Sequence, residues 1–367
     1  MLGPFLVGVG VMCGISVVLA VMMVIADATI ANYGTVKVKI NKDKELEVDG
    51  GRSLLSTLME EQIFIPSACG GRGSCGMCKV KVLDGAGDLL PTELPMLSAD
   101  EKKQNVRLAC QCKVKKDYSI EIPESLFNVK EYQVTVASLT DLTYDIKKVS
   151  LKFKPGDEIN FKAGQFVQFG VPEYELTPEP VYRAYSVASS PFVKDALELE
   201  IRLVPNGICT TYVFKYLKEK DNVTINGPYG DFFLRDSERD IVFIAGGSGM
   251  APIRSMLYEM KQNNNQRKAM YFFGARAVKD LFQVDEMRQF EKDLPNFRYI
   301  PALSAPDPGD NWEGDIGLIT EVVAKYVESG SNVEAYLCGS PGMIDACIKV
   351  LKSKGVPEDL IFYDKFA

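Results

Sequence analysis

From Leu2 to Ile25 the chain is apolar and carries no charged side chain. At about 1.5 Å per residue this run would form roughly 36 Å of helix, enough to cross a hydrocarbon core of about 30 Å. The pattern then changes period. Thr35–Ile40 and Glu45–Val48 alternate strictly, which predicts two half-buried strands joined as a hairpin. Ser53–Glu60 has helical spacing, Cys78–Leu83 alternates again, and a turn at Asp84–Gly87 leads to a polar helical stretch. Arg107–Val114 is expected as a further strand, with Cys110 and Cys112 on one face. Pro123 and a charged linker at Asn128–Glu131 close this unit.

Short strands with turns follow: Gln133–Ser138, Ile146–Phe153, Gln165–Val171, Ala184–Ala188, Leu197–Leu203 and Asn222–Asn226. Their density predicts a small antiparallel barrel. Beyond Asp240, apolar runs at Ile241–Ala245, Ala269–Phe273, Phe297–Ala302 and Glu334–Leu337 alternate with helical segments, the rhythm of a parallel α/β sheet. The expected domains are residues 1–30, a transmembrane anchor; 31–127, an α+β domain; 128–236, the barrel; and 237–367, the α/β domain. There is no internal repeat and no low-complexity tract.

The anchor competes with a cleaved signal peptide, since Ala26-Asp27-Ala28 resembles a cleavage site, and with a buried core helix. The missing basic n-region and the length of the apolar run favour a retained single-pass anchor over residues 2–25. Lys37, Lys39, Lys42 and Lys44 follow it while the N-terminal flank has no Lys or Arg, which places the soluble domains in the cytoplasm, against the cell inner membrane. Cys13, in mid-helix, reads as a small apolar filler, with a role at a partner's membrane-embedded metal centre as the other possibility.

Two counts narrow the chemistry. The net charge of −7 over 367 residues argues against a nucleic-acid partner. Histidine is absent, which removes His-based triads, His–zinc sites and His general bases. What remains is chemistry run by cysteines or by a cofactor. The nine cysteines are not spaced as a disulfide framework, and four of them gather around one Gly-rich loop.

That loop, Cys69-Gly-Gly-Arg-Gly-Ser-Cys75-Gly-Met-Cys78, with Cys110 well downstream, is the spacing of a plant-type [2Fe–2S] centre, with one extra residue in the first gap. Its glycines let the backbone wrap the cluster and aim N–H groups at the sulfides. Four thiolates also suit structural zinc, but zinc ribbons show two C-x2-C knuckles and here only Cys75–Cys78 makes one. Cys112 reads as a buried spare thiol.

Arg183-Ala-Tyr185-Ser186 resembles the R-x-Y-S motif of the ferredoxin–NADP⁺ reductase superfamily. The resemblance implies that Arg183 neutralises the FAD pyrophosphate, that Tyr185 stacks on the isoalloxazine, and that Ser186 bonds near flavin N5. Gly164-Gln165-Phe166 resembles the family's G-Q strand. Gly207-Ile-Cys-Thr210-Thr211 resembles its second pyrophosphate-binding turn, and Gly227-Pro228-Tyr229-Gly230 its barrel-closing turn. Gly246-Gly247-Ser-Gly249-Met-Ala-Pro252 follows an apolar strand and opens a helix, as a pyrophosphate site does. It also resembles the superfamily's G-G-x-G-x-x-P. Gly274-Ala-Arg276 resembles the strand end near the adenosine half, and Cys338-Gly-Ser-Pro341-Gly-Met343 a segment whose Cys faces the hydride-transfer site; a plain buried strand-end role for Cys338 is the alternative. The tail offers an aromatic to the flavin, with Phe366 as the candidate. Arg276 fits a 2′-phosphate, yet NADH enzymes of this kind also carry G-A-R, so NADH is the expected substrate.

The order of anchor, β-grasp ferredoxin, FAD barrel and nucleotide domain resembles, over essentially the whole chain, the family of F subunits of Na⁺-translocating NADH:quinone oxidoreductases. That resemblance implies FAD and a [2Fe–2S] cluster as cofactors, hydride transfer from NADH, and neighbouring membrane subunits that accept the electrons. One departure is a short segment between Arg202 and Gly207. The reductase component of an oxygenase shares the three soluble modules and is the alternative function; a tethered iron–sulfur or zinc module with degenerate reductase domains is a third.

Overall fold

A computed structural model describes residues 2–29, 33–41, 44–329 and 332–366. The chain divides into two compact units, Met1–Ser67 with Gly71–Asn128, and Ala68–Gly70 with Val129–Ala367.

In the first unit the backbone is helical from Leu2 to Thr29 (α1). Val9, Met12, Val17 and Met23 along it are exposed. Among the described residues no helix is long and apolar enough to cross a membrane.

The hairpin forms as β1 (Thr35–Ile40) and β2 (Lys44–Asp49), with Thr35 opposite Asp49. Next, α2 (Leu54–Glu60) begins at Ser53, whose hydroxyl accepts the Ser56 N–H at 3.1 Å. Then come β3 (Lys79–Asp84), α3 (Ala99–Lys103), β4 (Val106–Leu108) and β5 (Tyr118–Glu121). The sheet order is β2-β1-β5-β3-β4, with β1 and β5 parallel and the other pairs antiparallel. Leu54 and Leu58, one turn apart, share a core with Val38, Ile40 and Ile120.

The expected strand Arg107–Val114 does not form beyond Leu108. The chain turns instead at residues 109–112. There the carbonyls of Ala109 and Cys112 accept the N–H groups of Leu55 (3.1 Å) and Leu54 (2.7 Å). Those are first-turn amides of α2, which have no partner inside the helix. Cys110 and Cys112 therefore share no strand face.

In the second unit β6 (Lys130–Asp141), β7 (Ile146–Phe153), β8 (Phe166–Val171), β9 (Val181–Ser186), β10 (Ala196–Arg202) and β11 (Asn222–Tyr229) form an antiparallel sheet of order β10-β7-β6-β11-β8-β9. The two edges meet through the Val187–Leu199 bridge and the Ala188 N–H, which donates to Glu198 O at 2.8 Å. α4 (Ile208–Lys215) follows β10 after the short Leu203–Gly207 connection. The end of the expected linker is strand: Lys130 and Glu131 pair with Gly227 and Asn226 while their charged side chains stay in solvent.

From Asp240 the chain alternates as expected: β12 (Asp240–Gly246), α5 (Met250–Gln262), β13 (Ala269–Ala275), α6 (Val284–Asp293), β14 (Phe297–Leu303), β15 (Asp315–Ile316), α7 (Ile319–Tyr326), β16 (Val333–Gly339), α8 (Pro341–Ser353) and β17 (Ile361–Lys365). These strands make a parallel sheet of order β15-β14-β13-β12-β16-β17. The central strands are buried on both faces, so they read as continuous apolar runs. β15 and β17 were not expected. On the edge of β14 away from β13, Glu291 accepts the Tyr299 N–H (2.8 Å) and Arg288 donates to the Tyr299 carbonyl (3.1 Å).

Candidate functional site

Gly71, Gly73 and Gly76 of the cysteine loop all lie at positive φ, between 67° and 85°. A Cβ on Gly73 would come within 2.8 Å of the Gln111 amide, which also donates to the Cys110 sulfur at 3.5 Å. Left-handed backbone and lack of room both demand glycine there. The Cys78 thiol hydrogen-bonds Cys110, and burial and the nearby Cys75 add to that contact in pushing its pKa well up. A thiol whose ionisation is suppressed by neighbouring thiols in this way suits a cationic centre, which would reverse the effect. Cys69 is half-buried in the same loop. Among the described residues no three His, Cys, Asp or Glu side chains gather as a single metal ion requires. Cys112 is buried, its thiol pushed up to about 11 by burial.

Behind Cys110 lies a pair the motif reading missed. Arg107 donates through Nε (2.9 Å) and Nη2 (2.6 Å) to the two oxygens of Glu93, and through Nη1 to Gly87 O at 2.6 Å. Glu93 also accepts the Leu108 N–H at 3.0 Å. Both side chains are buried. This ties the turn before α3 to the strand leading into Cys110.

On β9, Arg183 and Tyr185 are half-buried and Ser186 is buried. The Tyr185 hydroxyl hydrogen-bonds Cys209, a thiol that burial pushes up to about 12. Gly207 caps α4 without a side-chain hydrogen bond, so the first-turn amides stay open to an anion. Thr210 and Thr211 are buried. The Thr210 hydroxyl donates back to Val204 O at 3.2 Å, holding the short 203–207 connection closed.

Gly246, Gly247 and Gly249 join β12 to α5, whose start has no side-chain cap. A Cβ on Gly249 would lie 2.3 Å from Cys338 O, and one on Gly246 3.1 Å from the Met343 sulfur. These are close approaches only glycine allows. Pro252 is buried within α5, and Arg276 is exposed past the end of β13. Arg202, which the sequence reading did not single out, brings its guanidinium to 3.2 Å from the Cβ position of Gly247.

Cys338 is fully buried, and burial pushes its thiol well up. Its partner across the β16–β17 ladder is Asp364, also missed in the sequence. Burial raises Asp364 to about 6 against the opposing hydrogen bond from Ser186, with Asp231 adding to the rise. The Phe366 N–H donates to Gly339 O at 2.9 Å. Ser186, Cys338, Asp364 and Phe366 thus converge where the barrel meets the nucleotide-type domain. The uncapped helix starts and the glycine cradle fit a flavin and a dinucleotide.

Residues 38–115 match the family described as a 2Fe-2S iron–sulfur cluster binding domain. Residues 133–234 match an oxidoreductase FAD-binding domain, and residues 243–349 an oxidoreductase NAD-binding domain. Among solved structures, the Amycolatopsis cytochrome P450 reductase GcoB is 28% identical with a TM-score of 0.73, over 90% of this chain and 99% of its own. The ferredoxin reductase of carbazole 1,9a-dioxygenase is 28% identical with a TM-score of 0.69, over 91% and 99%. The F subunit of the Na⁺-translocating NADH-quinone reductase of Neisseria meningitidis (strain FAM18) is 39% identical over 401 aligned positions, 98% of this chain and 99% of that relative. The aligned length exceeds the 367 residues here, so that relative has segments this chain lacks. The corresponding F subunit of Actinobacillus succinogenes is 37% identical over 99% of this chain and 98% of its own. With iron–sulfur, FAD and NAD modules in that order and this identity over nearly its whole length, the chain belongs to the family of F subunits of Na⁺-translocating NADH-quinone reductases.

Proposed function

We propose that this chain is the NADH-oxidising subunit of a Na⁺-translocating NADH:quinone oxidoreductase and passes electrons to membrane subunits of that complex. The observation that carries this reading is the convergence of Ser186, Cys338 and Asp364 between an FAD-type and an NAD-type module, in a chain that also holds a [2Fe–2S] module. The chemistry supplied by the bound cofactors is hydride acceptance by FAD and one-electron carriage by the cluster.

The chain's own residues bind and orient. Cys69, Cys75, Cys78 and Cys110 hold the cluster. Arg183, Gly207, Thr210 and Thr211 hold the FAD pyrophosphate, and Tyr185 packs on the isoalloxazine. Gly246, Gly247, Gly249 and Pro252 receive the NADH pyrophosphate at the start of α5, with Arg276 toward the adenosine. Ser186 and Cys338 line the transfer site, where Asp364 keeps a proton above the ordinary carboxylate range. Phe366 places a ring beside the flavin. The working domains are residues 1–30, 31–127, 128–236 and 237–367. The first is a single-pass anchor through residues 2–25, with the rest in the cytoplasm at the inner membrane. The uncharged run Leu2–Ile25 and the lysines after it support that topology.

The test is anaerobic titration of the detergent-solubilised full chain with NADH, followed by visible and EPR spectra. The reading predicts loss of the flavin band and a reduced [2Fe–2S] signal; absence of flavin, or zinc in place of iron, defeats it. Deleting residues 1–30 should move the chain from the membrane pellet to the soluble fraction. A second reading, the reductase component of an oxygenase, draws support from the two solved reductases that cover some nine-tenths of the chain. Electron delivery to a hydroxylase but not to quinone-reducing membranes would establish it.

A further inference from the structure

The element that opens with the nucleotide-type glycines, α5, is tied to the barrel by one buried guanidinium. Arg254 donates through Nε to both oxygens of Glu286 on α6 (3.1 and 3.0 Å). Its Nη1 donates to Glu198 Oε2 on β10 (2.6 Å) and to Ala188 O (3.1 Å), two residues past Ser186. Its Nη2 reaches the Tyr258 hydroxyl (3.3 Å). The next residue adds a second tie: the Ser255 hydroxyl donates to Ser189 O at 2.7 Å. Just before the same helix begins, little more than a turn ahead of Arg254, Gly249 rests against the Cys338 carbonyl.

We propose that Arg254 is a positioning residue for hydride transfer, fixing through α5 the separation between the flavin strand at Ser186 and the nicotinamide side at Cys338. The inference rests on the hydride-transfer reading above.

The charge pattern of the seam agrees with a tie and not with a ligand site. Three carboxyl groups, Glu198, Glu200 and Glu286, surround Arg254, and only Glu198 and Glu286 are hydrogen-bonded to it. Glu200 is fully buried and neither of its oxygens has a partner of normal geometry, although the Gln283 amide lies close. Burial raises Glu200 to about 7. A protonated Glu200 leaves Arg254 facing two anions it already binds, and Nε, Nη1 and Nη2 of its guanidinium are all engaged in the seam. A fork of fixed N–H groups spanning three elements is what arginine supplies and lysine does not.

The experiment uses the full-length, FAD-loaded protein and rapid mixing with NADH, reading the rate constant of flavin bleaching and the NADH dissociation constant separately. Arg254→Gln should slow bleaching by about 10- to 100-fold, the scale of a misplacement near 1 Å, while the dissociation constant moves less than about threefold. Arg254→Lys should recover only part of the loss. Glu198→Gln and Ser255→Ala, which each remove one tie, should slow bleaching by a few-fold with flavin content unchanged; they carry the test if Arg254→Gln does not fold. NAD⁺ affinity, followed by perturbation of the flavin spectrum, should be unchanged in all four. Wild-type rates in the folded variants overturn the inference, as does a loss confined to NADH affinity. Failure of the wild type to be reduced by NADH overturns the underlying reading instead.

Discussion

Cys338 and Asp364 face each other across the parallel β16–β17 ladder, and Asp364 accepts the hydroxyl of Ser186 from the barrel. One carboxyl group thereby joins the last strand of the chain to the flavin motif some 180 residues earlier. Its burial keeps it protonated to about pH 6. The rate constant of flavin bleaching by NADH should therefore change across pH 6 in the wild type. In Asp364→Asn the step should vanish and the plateau should fall by about 100- to 10,000-fold, the scale for a group that handles a proton at the reacting centre. Stopped-flow traces from pH 5 to 8 decide; an unchanged step would assign it to another group.

Cysteine substitutions should sort cleanly. Cys75→Ala, Cys78→Ala and Cys110→Ala should each lose the EPR signal and most of the iron, because a [2Fe–2S] centre needs all four thiolates. Cys112→Ala should keep both, since that thiol is buried in the core behind the turn. Iron analysis of purified full-length variants checks this, and a Cys112→Ala variant devoid of iron would make Cys112 a ligand.

The Glu93–Arg107 pair is doubly hydrogen-bonded and both side chains are buried. Removing one partner leaves an uncompensated charge, at a cost of about 3–5 kcal/mol. Glu93→Gln and Arg107→Gln should each lower the urea midpoint for bleaching of the cluster chromophore. The double variant should recover part of the loss, because no lone charge remains. Additive losses would show that the two side chains act independently.

Glu200 offers a pH signature in stability. Its folded pKa, about 7, stands above the ordinary glutamate value of 4.5. The contribution is fully present below 4.5 and is lost as pH rises through 7, because the folded state must either hold the proton or bury a charge. The gap corresponds to about 3 kcal/mol. Glu200→Gln should match the wild type near pH 4.5 and exceed it in stability by up to that amount at pH 8. Denaturant curves at both pH values measure the difference, and parallel behaviour at both would mean that Glu200 titrates normally in the fold.

Much of the site was legible because its chemistry fixes local spacing. The Cys69–Cys78 loop, the Arg183–Ser186 run and the Gly246–Gly249 turn each place their groups within a few residues of one another. The residues that escaped are joined only by register or packing. Asp364 matters because β17 is hydrogen-bonded beside β16, and its one sequence cue was the short apolar run Ile361–Tyr363 just before it. Arg254, Glu198 and Glu286 lie on three elements, and nothing local to any one names the other two. The strand expected through Cys112 failed for a related reason: the carbonyls of Ala109 and Cys112 serve the amides of a helix more than fifty residues earlier. Periodicity cannot register such a demand.

The edge of β14 has a consequence for a protein crowded against its own copies. A free strand edge is a template on which a second chain can lay itself down. At Tyr299 both backbone groups that would receive such a guest are already occupied by Glu291 and Arg288, and Pro301, two residues on, has no N–H to offer. Side chains of α6 thus finish the sheet at this point as another strand would, without growth from one molecule into the next.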